Sequence, residues 1–141
     1  AMWDVALTAG REIFGIAVDD AHVFRVFGPQ YSNPGRGWVT VKAPALSSAA
    51  IRAGLERGDF YSSTGVELAE VERSGKKLRV RIEQKGNFKY TTEFIGADSR
   101  LLYRTYEIDS EYALKSGERY VRARVTDSMG NQAWTQPVFA Q

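Results

Sequence analysis

The 141-residue chain contains no cysteine, and its formal net charge is only +2 at pH 7. The absence of cysteine excludes disulfides and thiolate metal sites, but it leaves the cellular compartment open. A net charge this small gives no electrostatic reason to expect nucleic acid or a membrane surface as a partner. No apolar run approaches the roughly 20 residues that a membrane-spanning helix needs. The composition that remains is that of an ordinary globular protein with room for one proper core.

Histidine is almost absent too, and the position of the single histidine is informative. His22 closes the sequence Asp19-Asp20-Ala21-His22, which directly follows an unbroken apolar run over residues 13–18. Such a run is typical of a strand buried on both faces in a parallel sheet, where chemistry is usually placed at the carboxyl end. Residues two apart in an extended chain point to the same side. Asp20 and His22 are therefore candidate ligands of one metal ion, although a polar turn at the end of the strand explains the same residues.

The sequence around this run predicts a helix, a short turn, the strand and a loop. Trp3 and Leu7 are spaced to share one face of a helix over residues 3–9. Gly10 is placed to end that helix in the left-handed conformation. The glycine- and proline-rich residues 28–37 predict a loop at the boundary of the next region.

Beyond residue 37 the pattern is almost entirely that of β-strands. Alternating apolar and polar residues predict strands with one buried and one wet face. Residues 38–43 alternate in this way. In three further sets the buried positions are expected to be Leu78, Val80, Ile82, Phe88, Tyr90, Thr92, Phe94, Val121, Ala123 and Val125. One helix is predicted at about 47–57, capped by Ser47 and ended by Gly58. Short strands at this spacing, separated by turn signals, favour a β-sandwich.

The predicted fold class is therefore mainly β (α+β), an Ig-like antiparallel β-sandwich over residues 37–141 preceded by a helix and strand within residues 1–36. A doubly apolar strand cannot stay without neighbours, because it would expose both faces and its backbone groups. Residues 13–18 must dock on the sandwich, pair with a second copy in a homo-oligomer, or belong to a sheet completed elsewhere. The third explanation fits best, and Ala1-Met2 resembles a cloning remnant rather than a natural start. We expect residues 13–18 to be covered.

Several segments carry a resemblance to a known family. They are Trp3-Asp4, Gly10-Arg11, residues 15–22, 46–58, 58–65, 120–123 and 133–137. Together they resemble the last barrel segment and the tail of a bacterial subgroup of the PHP (polymerase and histidinol phosphatase) superfamily. The resemblance implies that residues 1–36 are the end of a distorted α/β barrel and that the intact protein is a metal-dependent phosphoesterase, a hydrolase of phosphoester substrates.

Carried over residue by residue, the resemblance implies that Asp20 and His22 are metal ligands and that Asp19 either supports them or caps a loop. The metal would be a divalent ion such as Zn, Mn, Fe or Mg. The other histidine and glutamate motifs of the family are absent from this sequence. This chain alone is therefore expected to bind no metal and to be catalytically silent, with the missing N-terminal barrel portion as its partner.

Charged residues on the strands give a competing interpretation. The residues concerned are Lys76, Lys77, Arg79, Arg81, Arg122 and Arg124. They would form a phosphate-attracting stripe if their strands were adjacent. A solvated sheet face explains the same alternation, and acidic residues nearly balance the charge over the whole chain.

Aromatic and hydroxyl residues leave two further alternatives. Trp38 and Trp134 are candidates for a sugar-stacking platform, although such residues more often belong to a core or its rim. The hydroxyl-rich residues 61–65 are interpreted as a structural turn, since no second histidine is present to activate a serine. The alternative function is a non-catalytic sandwich that binds carbohydrate or protein, or a structural or oligomerisation domain.

Overall fold

The alternating residues beyond position 37 form two antiparallel sheets that face each other as a sandwich in the computed structural model, which describes residues 2–140. The two helices are α1 (Met2–Thr8) and α2 (Ser48–Arg57). The strands are β1 (Trp38–Val41), β2 (Phe60–Ser63), β3 (Leu68–Ser74), β4 (Lys77–Ile82), β5 (Tyr90–Ile95), β6 (Leu101–Thr105), β7 (Asp109–Ala113), β8 (Tyr120–Asp127), β9 (Gln132–Thr135) and β10 (Val138–Phe139). A single 3-10 turn, Ala97–Ser99, joins β5 to β6. The predicted fold class, a mainly β sandwich with two helices, is confirmed.

The two sheets differ in size. The large sheet has the strand order β1-β2-β9-β8-β5-β6, and the short strand β10 also pairs with β8. The small sheet has the order β3-β4-β7. The small sheet covers one face of the large sheet. The two sheets are linked by a hydrogen bond in which Leu68 N–H of β3 donates to the Tyr61 hydroxyl of β2 at 3.1 Å. The other face of the large sheet is called the outer face below.

The core lies between the sheets, as the alternation predicts. Leu78, Val80, Val121, Ala123 and Val125 are fully buried and belong to one apolar cluster. Each large aliphatic side chain buried in this way contributes about 1.5–3 kcal/mol. The period-two pattern was therefore sufficient to place the inner face of β4 and β8.

Helix α2 begins and ends where the sequence predicts. The Ser47 hydroxyl accepts a hydrogen bond from Ala50 N–H at 3.2 Å, and Gly58 adopts φ 71° after the last turn. Gly54 is buried on the inward side of the helix, so close to Val41 that a Cβ would collide with it. The helix therefore packs against the end of β1 at the edge of the large sheet.

Residues 13–18 form no strand, so the prediction of a buried strand here is wrong. The run lies outside both sheets, because its backbone hydrogen bonds to the sandwich go to the side chains of Ser62 and Gln136 rather than to a neighbouring strand. Phe14 stacks edge-on against Phe60 of β2, with ring centroids 6.0 Å apart. The expectation that the run packs on the sandwich is confirmed for this side, whereas Ile16 and Val18 remain exposed.

Two further predictions need correction. Arg122 was expected on a wet face, but only 5% of it is exposed, because α1 covers the outer face of β8 at that point. Residues 61–65 were interpreted as a turn, but Tyr61–Ser63 belong to β2, which lies inside the large sheet between β1 and β9. Among residues 2–140, no helix combines the length and the apolar character needed to cross a lipid bilayer.

Candidate functional site

The two candidate metal ligands lie on the surface, in the turn that follows residues 13–18. Asp20 has φ 50°, so the extended geometry that would align residues 20 and 22 is broken at this residue. Both side chains are exposed, and the His22 Nδ1 atom lies 2.8 Å from the Asp20 carbonyl oxygen. No group of three metal-ligating side chains is assembled within residues 2–140. Two ligands are fewer than a protein metal site normally uses, so the described residues do not fit a metal centre by themselves.

Asp19 closes the loop that carries these residues. Its carboxylate accepts hydrogen bonds from the backbone N–H groups of Gly35 at 2.8 Å, Arg36 at 2.7 Å and Gly37 at 2.5 Å. The bonds from Gly35 and Gly37, with that from Arg36, lower the pKa of Asp19 below its ordinary value. Of the two roles suggested for Asp19, the geometry is that of a loop cap.

The interior of the same loop is held by Asn33. This side chain is buried, accepts a bond from Gly28 N–H at 3.0 Å and donates to the carbonyl oxygens of Val23 and Val26 at 2.8 and 3.0 Å. The Arg36 guanidinium adds a bond to the Gly28 carbonyl oxygen at 3.0 Å. The loop is therefore ordered by its own polar side chains.

Many large apolar side chains between residues 13 and 27 are exposed. They are Ile13, Ile16, Val18, Phe24, Val26 and Phe27, six of the fourteen that are exposed among the described residues. We call this set the N-terminal apolar surface. Ile16 and Phe27 are 66% and 67% exposed. A concentration of exposed apolar side chains in one short segment is typical of a surface that another structure covers.

Buried polar contacts attach α1 to the outer face of the large sheet. The Asp4 carboxylate accepts two parallel bonds from the Arg122 guanidinium, both at 2.7 Å, and further bonds from the hydroxyls of Tyr120 at 3.0 Å and Ser99 at 2.9 Å. Burial alone would raise the pKa of Asp4, but Arg122 outweighs it and lowers that pKa to about 2. Burial and the Asp4 carboxylate raise the pKa of Tyr120 to about 12. The Arg122 guanidinium also lies over the Trp3 ring, 4.9 Å from its centroid.

The structure does not bring the strand arginines together. Arg79 and Arg81 lie on β4 in the small sheet, whereas Arg122 and Arg124 lie on β8 in the large sheet. Each is paired with an acidic side chain, for example Arg79 with Asp109 at 2.6 Å. The phosphate-attracting stripe is therefore not formed.

Trp38 and Trp134 do not form one stacking platform for a sugar either. Trp38 pairs with Ser63 and Trp134 pairs with Ser62. Because adjacent residues of a strand point to opposite faces, the two rings lie on opposite faces of the large sheet. Stacked aromatic rings lie instead in the sandwich, where the Phe94 ring centroid is 5.7 Å from that of Tyr112 and 6.1 Å from that of Tyr103. This packing belongs to the core and its rim.

Sequence reasoning missed the residues that hold the N-terminal segment in place. Ser62 and the buried Gln136 both bond to the backbone of Gly15, 47 and 121 residues away along the chain. A polar residue gives no sequence signal of so distant a backbone partner.

Comparison with known proteins gives no match, whether to a protein-family model, a curated protein or a solved structure.

Proposed function

We propose that this chain is the C-terminal part of a metal-dependent phosphoesterase related to the PHP superfamily. In this proposal residues 1–36 complete an α/β barrel whose other elements lie upstream, and the sandwich anchors them. One observation carries the proposal. Residues 13–37 are fixed to the sandwich by hydrogen bonds and by the packing of Phe14 on Phe60, while the N-terminal apolar surface, Asp20 and His22 remain exposed.

The energetics favour a covering portion. Ile16, Val18, Phe24 and Phe27 are each about two-thirds exposed. Burying a large apolar side chain contributes about 1.5–3 kcal/mol, so a portion that covers these four would gain several kcal/mol. Little ordering entropy would oppose it, because Asp19 and Asn33 already hold the loop.

The geometry of His22 is compatible with a ligand whose remaining partners come from the covering portion. Metal-bound histidines usually direct their second ring nitrogen to a carbonyl or carboxylate oxygen, which fixes the ring. The Nδ1 atom of His22 has such a partner in the Asp20 carbonyl oxygen at 2.8 Å. Its Nε2 atom and the Asp20 carboxylate would be the two donors that this chain supplies. A divalent metal bound there would supply Lewis acidity and an activated water.

Hydrolysis of an aryl phosphate in the presence of Mn²⁺ or Zn²⁺ tests the proposal. The chain should be compared with the natural protein that includes the upstream portion, and with that protein carrying Asp20→Ala or His22→Ala. We expect activity only in the longer protein, and loss of at least roughly tenfold in either variant. Glu107→Ala, an exposed acidic residue far from the loop, is the matched control and should leave the rate unchanged.

An inactive longer protein that is indifferent to both substitutions, across several phosphoester classes, would reject the enzyme assignment. A structural role of the sandwich is then the second candidate. The buried Asp4–Arg122 pair favours it, because that pair fixes the orientation of the N-terminal segment on the sheet.

A further inference from the structure

A groove of about 490 Å³ lies along the free edge of β3, the edge strand of the small sheet. One wall of the groove is β3, and the floor is the face of β1 and β2 that looks towards the small sheet. Thr40 lies on this floor, because it is paired with Tyr61, whose hydroxyl bonds to β3. Thr40 is nevertheless exposed. On this side, therefore, the small sheet ends before it covers β1, which leaves room for a further strand beside β3.

The register of the small sheet shows which backbone groups of β3 face the groove. In an antiparallel sheet, alternate residues of a strand bond to the neighbours on opposite sides. Ile82 N–H donates to the Ile108 carbonyl oxygen, so the even-numbered residues of β4 bond to β7 and the odd-numbered ones bond to β3. Glu72 is opposite an odd-numbered residue of β4 and bonds to it. Val71 and Arg73 therefore direct their N–H and C=O groups towards the groove, and none of these groups has a hydrogen-bond partner within residues 2–140.

The solvent-facing side of the small sheet carries charges that alternate in sign from strand to strand. From β7 through β4 to β3, one row consists of Asp109, Arg81 and Glu70, and the next consists of Glu111, Arg79 and Glu72. Arg81 lies 3.3 Å from Glu70, and Arg79 lies 3.9 Å from Glu72. Opposite charges on directly paired residues stabilise neighbouring strands. A further strand with basic residues opposite Glu70 and Glu72 would continue the alternation.

The same charges oppose the pairing of β3 with a second copy of this chain. Two β3 strands side by side would bring the carboxylates of Glu70 and Glu72 from both copies together, and like charges on paired strands are destabilising. The register shift between Leu68 and Glu70 also ends the regular part of the edge. Charges and bulges of this kind commonly guard edge strands against self-association. The edge of β3 is therefore guarded against its own kind, but it is electrostatically suited to a basic strand.

The opposite edge of the small sheet is also acidic, but the sandwich is closed there. Tyr112 of β7 stacks on Tyr103 of β6, with ring centroids 6.5 Å apart. These rings fill the space between the two sheets at the edge of β7. The edge of β3 thus differs from that of β7 by the groove beside it.

We infer that the edge of β3 binds an extended peptide segment of a partner protein by strand addition, and that this segment carries basic residues at alternate positions with apolar residues between them. The basic side chains would lie opposite Glu70 and Glu72. The apolar side chain between them would lie beside Val71, which packs against the core, and would cover Thr40 on the floor of the groove. Backbone pairing with Val71 and Arg73 supplies affinity, and the charges supply specificity. The inference uses only the sandwich and does not depend on the phosphoesterase proposal.

Fluorescence anisotropy with a synthetic peptide tests the inference. The probe is a labelled, end-blocked peptide of sequence Thr-Val-Lys-Val-Lys-Val-Thr, and its control is Thr-Lys-Lys-Val-Val-Val-Thr, which has the same composition without the alternation. We expect this chain to bind the first peptide at least roughly tenfold more tightly than the second, because only the first can present both lysines to one face of the sheet. Equal binding of the two peptides, or no binding of either, would overturn the inference.

Charge reversal tests the assigned edge. Glu70→Lys/Glu72→Lys should weaken binding of the alternating lysine peptide by roughly tenfold or more. The same variant should bind the matching peptide with glutamate in place of lysine, and this gain also shows that the variant is folded. Glu111→Lys makes the same kind of charge change on β7 and is the matched control, which should leave binding of the lysine peptide unchanged. Loss of binding in the Glu111 variant instead would assign the peptide to the other edge.

Amide hydrogen exchange distinguishes strand addition from simple attraction between charges. In the free chain the amides of Val71 and Arg73 should exchange rapidly, whereas that of Glu72 is protected by its bond to β4. With saturating peptide, exchange at Val71 and Arg73 should slow by roughly tenfold or more, with little change at Glu72. A bound peptide that leaves exchange at Val71 and Arg73 unchanged would show that the backbone is not paired, and the inference would be wrong.

Discussion

The sandwich and the N-terminal segment, residues 2–37, are stabilised in different ways. The sandwich strands pair backbone to backbone over an apolar core, in which Leu78, Val80 and Val121 have no measurable exposure. The N-terminal segment joins no ladder and is attached by a few buried or half-buried side chains. The stability of the N-terminal segment therefore depends on a few individual residues, whereas many residues contribute to the stability of the sandwich.

The N-terminal segment has hydrogen-bond partners where it meets the sandwich, but much of its apolar surface is not covered. Where the segment meets the sandwich, the Asp4 carboxylate accepts hydrogen bonds from Arg122, and the Gly15 backbone is hydrogen-bonded to Gln136. Away from it, the N-terminal apolar surface is bare. The segment is therefore docked where it meets the sandwich, while its exposed apolar side chains resemble an interface that is not yet covered.

The largest expected effect comes from breaking the buried ion pair. Asp4→Ala leaves Arg122, only 5% exposed, without the carboxylate that accepts its two bonds. Removing one partner of a buried pair typically costs about 3–5 kcal/mol, so urea unfolding should show a loss of that size. The double variant Asp4→Ala/Arg122→Met is the control, and it should recover part of the loss. A double variant as unstable as the single one would contradict this account.

Acid should reproduce part of this loss reversibly. The pKa of Asp4 is about 2 in the folded chain and 3.8 ordinarily, so its contribution is complete above about pH 4 and disappears as the pH falls towards 2. Other carboxylates also titrate in this range, so the comparison is with Asp4→Asn, which cannot ionise. The stability difference between the wild type and this variant should shrink from pH 4 to pH 2. A difference that stays constant would show that the Asp4 charge is not responsible.

The sequence predicted the two regions unequally, for a physical reason. The burial of Leu78 and Val80 follows from local alternation, because each strand faces one common core. Arg122 obeys the same alternation, but its surroundings depend on α1, which lies 118 residues away along the chain. Residues 13–18 have the composition of a strand, yet strand formation needs a backbone neighbour. The described chain offers only the side chains of Trp3, Ser62 and Gln136.

Within the candidate site the same limit applies. The loop over residues 28–37 could be predicted from its glycines and prolines. The left-handed conformation of Asp20 and the capping of Gly35–Gly37 by Asp19 could not, since they depend on how the loop closes. Asp20 and His22 therefore lie on a surface turn in the structure, whereas the sequence predicted them at the end of a strand.

A smaller loss is expected from Gln136→Ala. The side chain is fully buried and satisfies both the N–H and the C=O of Gly15. Leaving buried polar groups without partners costs about 1–3 kcal/mol, and the loss should be confined to the N-terminal segment. Amide exchange should therefore accelerate at Gly15 and Ala17 while the amides of β8 remain protected. Ser128→Ala, on the turn after β8, is a control that should change neither. Uniform acceleration across the sandwich would contradict the independence of the two regions.

The smallest effect, and the only stabilising one, is expected at the turn that meets α1. Asp98 and Ser99 have φ values of 55° and 60°, a conformation that glycine adopts without the strain imposed by a Cβ. The turn is held by α1, because Asp98 N–H donates to the Thr8 hydroxyl at 2.9 Å and the Ser99 hydroxyl donates to Asp4. Asp98→Gly keeps both bonds and relieves one strained residue, so it should stabilise the chain by up to about 1 kcal/mol in urea unfolding. Asp98→Ala, which keeps a Cβ and the strain, is the matched control and should not stabilise. If Asp98→Gly destabilises the chain as well, the Asp98 carboxylate contributes more to the contact between the two regions than the backbone strain removes.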